Sequence, residues 1–250
     1  MTGPQRLAVV TGAGAGLGRA LAVELCARGL TVAGIGRSAG GLAETADLAG
    51  ARFHALTADV ADPAQVRDTF ARAAALAPLE ILVNNAAVYP RRDILDESAE
   101  SFMATVATNL GGTLACTLAA LDHFKATGQG RILNVATFAD LAPIPASSAY
   151  SVSKGAARIL TRALVADLGD RFPHIVISDW MPGMLATGMG IPDGLDPAVA
   201  ARWGATLALM TDPTLNGTTW EMDREIPPPR SLKRRLFDRM TGRRVRARQL

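Results

Sequence analysis

Leu7-Ala8-Val9-Val10-Thr11-Gly12-Ala13-Gly14-Ala15-Gly16-Leu17-Gly18 is the stretch that decides the fold. Its first five residues are mostly aliphatic or β-branched and read as a strand, closed by a glycine-rich turn. Beyond the turn, Leu17, Leu21 and Leu25 recur at i, i+4 and i+8, which predicts a helix over residues 17–28 with Gly29 as its C-terminal cap. Glycines between a strand and a helix let the backbone turn tightly and approach a pyrophosphate, whose negative charge suits the helix N-terminus. A glycine-rich turn alone is a weak signal, often nothing more than a turn. The strand before it and the helix after it are the context that phosphate binding requires.

The same alternation continues along the chain. Strands are expected at residues 31–35, 52–57, 81–83, 131–135, 175–178 and around 218–222. Helical patterns fall between them at 63–76, about 98–124, 148–168 and near 197–210. Strands alternating with helices of this length imply βαβ units, hence an α/β fold with a doubly wound parallel sheet of the Rossmann type and about seven strands. No internal repeat or low-complexity linker interrupts the pattern. Residues 1–226 are expected to form one dinucleotide-binding and catalytic domain, and Pro227-Pro228-Pro229 marks off a tail at 227–250.

Composition narrows the class further. The chain has 250 residues, 49% hydrophobic and 20% charged, which is ample for one core. A net charge of +3 hides an asymmetry: residues 230–250 hold nine basic residues and one acid, Asp238, so the tail carries +8 and the rest −5. Cys26 and Cys116 lie far apart among alanines and leucines and read as small buried hydrophobes. His54, His123 and His174 are equally scattered, so no metal site is expected. Residues 1–7 lack the basic region and apolar run of a signal peptide, and no stretch approaches ~18 uninterrupted apolar residues. A cytoplasmic location is the expectation.

Thr-Gly, three residues, then Gly-x-Gly resembles the short-chain dehydrogenase/reductase family more than the tighter G-x-G-x-x-G of other dinucleotide folds. The resemblance recurs in order. Asp59-Val60 looks like the family's adenine-contacting pair, and Asn84-Asn85-Ala86-Ala87 is similar to its Asn-Asn-Ala-Gly, with alanine last. Asn109 stands at its mid-helix asparagine, Tyr150-Ser-Val-Ser-Lys154 matches Tyr-x-x-x-Lys, and Pro182-Gly183 with Leu185 and Thr187 matches the segment around the nicotinamide carboxamide. The resemblance implies hydride transfer between a nicotinamide cofactor and a carbonyl or alcohol. It implies cofactor contacts from Gly12, Ala15, Gly16, Leu17, Gly18, Asp59, Val60, Asn85, Ala86 and Ala87, and from Tyr150, Lys154, Pro182, Gly183, Leu185 and Thr187.

That chemistry has a physical logic in the residues. A carbonyl receiving hydride needs a proton donor, and a free tyrosine with pKa about 10 is a poor base in the reverse direction at neutral pH. Tyr150 and Lys154 are four residues apart in a helical segment and share one face, so the ammonium is expected to favour phenolate. Without the surrounding motifs, a surface Tyr and Lys on a helix would be the default. The family resemblance gives Lys154 the nicotinamide ribose as well, and gives Asn109 a water in a proton relay; an asparagine satisfied locally is the plainer alternative. Thirteen residues before Tyr150, where the family usually has serine, stands Thr137, which keeps the hydroxyl but adds a methyl. The segment after Thr187 is short, with residues 188–194 in place of a longer lid, and the usual Asp-Gly-Gly ending is replaced by Asp223-Arg-Glu-Ile-Pro. Tyr89, Phe138, Met184 and Met189 are candidate pocket walls, each equally at home in a core.

The second expected strand runs into Gly34-Ile35-Gly36-Arg37-Ser38, with glycine where NAD-using relatives carry an acid. Glycine leaves room for a 2′-phosphate, Arg37 suits it by charge-assisted hydrogen bonds, and Ser38 adds a donor. NADP(H) is therefore expected in preference to NAD(H), which stays open because Ala15 stands where many NADP-preferring relatives have a base. The leading expectation is an NADP(H)-dependent alcohol dehydrogenase or carbonyl reductase; the alternative is an NADP(H)-binding sensor or scaffold of low activity. A homo-oligomer, dimer or tetramer, follows from the resemblance. In the tail, Leu232, Leu236, Phe237 and Met240 fall near one helical face, which suits packing on the body or a subunit better than contact with nucleic acid or an anionic membrane.

Overall fold

The computed structural model describes residues 6–227 and 247–250. Along them run β1 (Leu7–Thr11), α1 (Gly16–Ala27), β2 (Thr31–Gly36), α2 (Ala39–Ala49), β3 (Phe53–Thr57), α3 (Pro63–Ala74), β4 (Leu79–Asn84) and α4 (Ala99–Val106). There follow α5 (Gly112–Thr127), β5 (Gln129–Val135), α6 (Ser148–Leu168), β6 (His174–Met181), α7 (Pro197–Leu209), β7 (Thr219–Glu221) and β8 (Arg224–Ile226). The eight strands make one sheet in the order β3-β2-β1-β4-β5-β6-β7-β8. All neighbours are parallel except β7 and β8, which are antiparallel.

Alternation along each strand feeds two cores. Ala8 and Val10 pack with Leu21 and Leu25 of α1 and Ala205 of α7 on one face. Leu7 and Val9 pack with Phe70 of α3 and Phe124 of α5 on the other. A strand buried on both faces has no polar side to show, which is why the strands read as unbroken apolar runs. The order reverses between β1 and β4, so their C-terminal ends open a crevice where an open α/β sheet takes its ligand.

Three features depart from the sequence-based expectation. The helix expected over 98–124 runs on to Thr127 and holds a π-helical turn, Ala107–Gly111, with Asn109 buried in it. α2 was not anticipated: Gly40 and Gly41 weaken its pattern, and only Leu42 and Thr45 are buried. The eighth strand was not anticipated either; Met222 turns the chain with φ 49° and sends β8 back along β7. Arg248 and Leu250 then return to the sheet edge, with Glu225 N–H donating to Arg248 O at 2.9 Å and Leu250 N–H to Asp223 O at 2.9 Å. Arg248 pairs with Glu225 at 2.7 Å and lies over the Trp220 ring. The tail face at Leu232, Leu236, Phe237 and Met240 lies outside the described residues.

One helical run, Ala99–Thr127, is long and apolar enough to cross a membrane by length and composition alone. Half of its most apolar window is buried, and α5 packs against β4, β5 and α3, as a core helix does.

Candidate active site

At the end of β1 the backbone turns through Gly12, with φ 68°, and enters α1 at Gly16, with φ 52°. The turn is built on close approach. A Cβ on Gly18 would stand 2.1 Å from Gly12 O, and one on Gly12 would stand 2.9 Å from Ala86 Cα. Asn85 fixes the other wall: its side-chain amide donates to Thr11 O at 2.9 Å, while the Asn85 and Ala86 N–H groups both donate to Thr11 Oγ1 at 3.0 Å. A cleft of ≈ 500 Å³ follows the strand ends. Gly12 and Ala15 line it from the first turn, and Arg37, Ser38, Asp59 and Val60 from the ends of β2 and β3. Ala86 and Ala87 close it after β4. Gly16, Leu17, Gly18 and Asn85 do not line it; Leu17 and Gly18 are buried in α1.

The cleft also takes in Gly14, Arg19, Gly41 and Glu44, which had not been singled out. The unanticipated α2 explains them. Ser38 caps that helix, its Oγ accepting from Gly41 N–H at 3.1 Å, and keeps its hydroxyl proton to donate. Gly14 and Gly41 let α2 and the glycine loop touch: a Cβ on Gly41 would stand 2.7 Å from Gly14 O. Arg19 then pairs with Glu44 at 2.6 Å and donates to Gly14 O at 2.6 Å. The acid at this end of the cleft is thus compensated, whereas Arg37 makes no ion pair among the described residues. An exposed guanidinium beside a helix N-terminus favours an anion there.

The reactive end sits on α6. Tyr150 is half-buried at its start, and the Thr137 hydroxyl, from the segment after β5, bears on its phenol while accepting from Ala139 N–H at 3.2 Å. Burial pushes the phenol's pKa up, outweighing the lowering by Thr137. That direction is opposite to the one expected from the lysine. Lys154, one turn along, is buried, donates from Nζ to Val135 O at 2.8 Å, and has its own pKa pulled down to about 8 by burial. Asn109 is satisfied within the protein, by partners distant in sequence. Its Oδ1 accepts from Val88 N–H at 2.8 Å, and its amide donates to Val88 O and Ser153 Oγ, each at 3.0 Å.

Beneath these residues a polar row crosses three strands. Asn84, Asn134 and Asp179 are register partners on β4, β5 and β6. Asn84 donates to Asn134 at 2.9 Å, Asn134 to Thr161 Oγ1 at 2.9 Å, and Thr161 to Asp179 at 2.6 Å. Burial pushes the Asp179 carboxyl up to about 7.

The segment after β6 completes the edge. Pro182 and Leu185 are buried, Gly183 turns with φ 92°, and Thr187 lies over Gly16, where a Cβ would meet its Cγ2 at 3.3 Å. Residues 188–194 fold back on Leu185: a Cβ on Gly190 would stand 1.9 Å from Leu185 O, and one on Gly194 2.4 Å from Leu185 C. Of the expected walls, Phe138, Met184 and Met189 are exposed, which suits an open mouth, and Tyr89 is half-buried. Tyr89 stacks on Tyr150 with centroids 4.5 Å apart and planes at 24°.

Comparisons with known proteins bear on the family and the fold. Residues 6–196 match the family model described as short chain dehydrogenase. The 2-(R)-hydroxypropyl-CoM dehydrogenase of Xanthobacter autotrophicus is 34% identical over 195 residues, covering 74% of this chain and 76% of the relative. The galactitol 2-dehydrogenase (L-tagatose-forming) of Cereibacter sphaeroides is 33% identical over 200 residues, covering 78% of each. A solved short chain dehydrogenase/reductase family protein superposes with a TM-score of 0.78 at 29% identity, over 89% of this chain and 97% of that one.

Proposed function

The chain belongs to the short-chain dehydrogenase/reductase family, oxidoreductases of alcohols and carbonyls, and from that premise we propose an NADP(H)-dependent carbonyl reductase or secondary-alcohol dehydrogenase with Tyr150 as acid/base. The observation that carries the proposal is the convergence of Tyr150, Thr137 and Lys154 at the sheet edge beside a glycine cleft whose close approaches leave no room for a side chain. The fit of the cofactor rests on that cleft. The glycine turn and the α1 N-terminus suit the pyrophosphate, Asp59 and Val60 the adenine, and Pro182, Gly183, Leu185 and Thr187 the carboxamide end.

A bound nicotinamide supplies the hydride in reduction and takes it up in oxidation. Tyr150 Oη gives its proton to the substrate oxygen in one direction and takes it back in the other. Thr137 donates a hydrogen bond to the same oxygen and so fixes which face of the carbonyl is presented. Lys154 places a positive charge behind the phenol and offers donors to a ribose. Asn109 holds the π-helical turn against Val88 and Ser153, and the family resemblance gives it a water in a proton relay toward Lys154. Phe138, Met184 and Met189 give the substrate an apolar, open mouth.

NADP(H) is preferred on the strength of Gly36, Arg37, Ser38 and the α2 N-terminus, with Glu44 compensated by Arg19. The test measures Kd for NADPH and NADH on the parent and on Gly36→Asp. The parent is expected to bind NADPH at least about tenfold tighter, a difference of ~1.4 kcal/mol, and the added carboxylate to reverse the order. Tighter NADH binding by the parent, or an unmoved preference in the variant, contradicts it. The exposed Met103, Leu114, Leu118, Val152 and Ile159 on α4, α5 and α6 support a second copy as partner. A cytoplasmic site of action fits buried Cys26 and Cys116 as free thiols.

A further inference from the structure

We propose that Tyr89 and Arg91 are positioning residues for Tyr150, a three-layer stack that ties the turn after Thr187 to the acid/base ring and sets its ionisation. The proposal rests on Tyr150 being the acid/base.

The Tyr89 ring covers one face of Tyr150 at 4.5 Å, and the Arg91 guanidinium covers Tyr89 at 5.4 Å from its centroid. Arg91 is not held there by a carboxylate; among the described residues it makes no ion pair. Its Nη2 donates instead to Met189 O at 3.1 Å and Gly190 O at 2.8 Å. Those carbonyls belong to the segment after β6, Tyr89 and Arg91 to the segment after β4, and Tyr150 to α6. One guanidinium therefore joins three elements at the mouth of the site. The backbone is bent to deliver it: Arg91 has φ 48°, a left-handed conformation that L side chains seldom adopt. The turn it grips is tied back to β6's exit by backbone hydrogen bonds, Ile191 N–H donating to Leu185 O at 3.0 Å and Ala186 N–H to Leu195 O at 2.9 Å.

This arrangement acts on the phenol in two ways. Stacking in an offset geometry removes the ring's freedom about its long axis, so that Oη is presented in one direction. The Arg91 charge, seated over Tyr89 with no ion pair among the described residues, favours the phenolate by its sign and so opposes the upward push of burial. The groups that act on the phenol are Thr137 and Asp140 after β5 and the Tyr89 hydroxyl; Arg158 pairs with Asp140 at 3.0 Å, and Lys154, one turn along α6, donates to Val135 O. Asp140 and Tyr89 push the phenol upward, and Arg91, seated over the Tyr89 ring, is the cation placed to oppose them through that stack.

Tyr89 and Tyr150 are the two tyrosines of the chain, so an absorbance titration of tyrosinate reports this stack and nothing else. The experiment titrates full-length parent, Arg91→Ala, Tyr89→Leu, Tyr89→Phe and Tyr150→Phe, with the Tyr150→Phe protein assigning the Tyr89 step. It pairs each titration with the pH profile of kcat and with KM for one carbonyl. Arg91→Ala is expected to move the Tyr150 step and the kinetic pKa upward together by roughly half a pH unit, the size of one screened charge at this range. Tyr89→Leu is expected to lower kcat roughly tenfold with KM within about twofold, and Tyr89→Phe, which keeps the ring, to recover most of it. An unmoved titration and pH profile in Arg91→Ala overturns the proposal. So does a Tyr89→Leu protein that changes KM alone, the behaviour of a mere pocket wall. Parent-level turnover in Tyr150→Phe overturns the acid/base assignment beneath it, a failure recognisable because the titration shifts in the other variants would persist.

Discussion

The two halves of the sheet's C-terminal edge are made of different material. From β1 to β3 the edge presents backbone: glycines at positive φ, N–H groups at a helix start, and gaps in which a single Cβ would collide. From β4 to β6 it presents side chains in a buried polar setting, with Lys154 and Asp179 both shifted toward their neutral forms by burial. A phosphate needs donors at fixed positions and no proton exchange, so backbone suffices. A reacting carbonyl needs groups that change protonation near neutrality, and burial is the means of bringing a lysine or carboxyl into that range.

The sharpest way to break the first half is Gly18→Ala. A Cβ 2.1 Å from Gly12 O forces the turn open, and overpacking of this kind costs about 1–3 kcal/mol of stability. NADPH binding by calorimetry is expected to fall below detection, and retained micromolar binding would show that the loop yields. On the other half, Thr137→Val deletes one oriented hydroxyl at nearly constant volume. kcat/KM should fall roughly 10²-fold with Kd for NADPH unchanged, and unaltered kinetics would move the orienting role elsewhere.

The smallest effect concerns stability. The Asp179 carboxyl is raised to about 7 in the fold, so its contribution is fully present below the usual carboxylate range and is lost as pH rises through about 7. Asp179→Asn keeps an oxygen for the Thr161 hydroxyl and does not titrate. Its urea midpoint relative to the parent should therefore improve from pH 4 to pH 8. A gap that stays constant, or narrows, over that range means the carboxyl is not carrying the penalty.

The same contrast explains what was legible in the sequence. Backbone chemistry leaves a local mark: glycines at set spacing after Leu7–Thr11 gave away the cradle, and periodicity placed α6 at Ser148–Leu168 in full. α2 escaped because two glycines in its first turn hide a helix that is held by the Ser38 cap and by Arg19 from another helix. The π-helical turn at Asn109 escaped because its cause, the Val88 backbone, is distant in sequence. Arg91, Glu44 and Asp179 carry no motif. Their surroundings come from contacts between segments tens of residues apart, and such contacts leave no local pattern. That Tyr150 and Lys154 share one helix was legible, but the direction of the phenol's pKa was not, since burial is a property of the assembled fold.

The account turns on a division of labour in which the glycine edge binds and Tyr150 reacts. The direct measurement loads parent and Tyr150→Phe with NADPH and follows both Kd and single-turnover oxidation of the bound NADPH by a carbonyl that the parent reduces. The account predicts Kd values within about twofold of each other and a rate at least ~10³-fold lower in the variant. Equal rates at equal cofactor occupancy would contradict it.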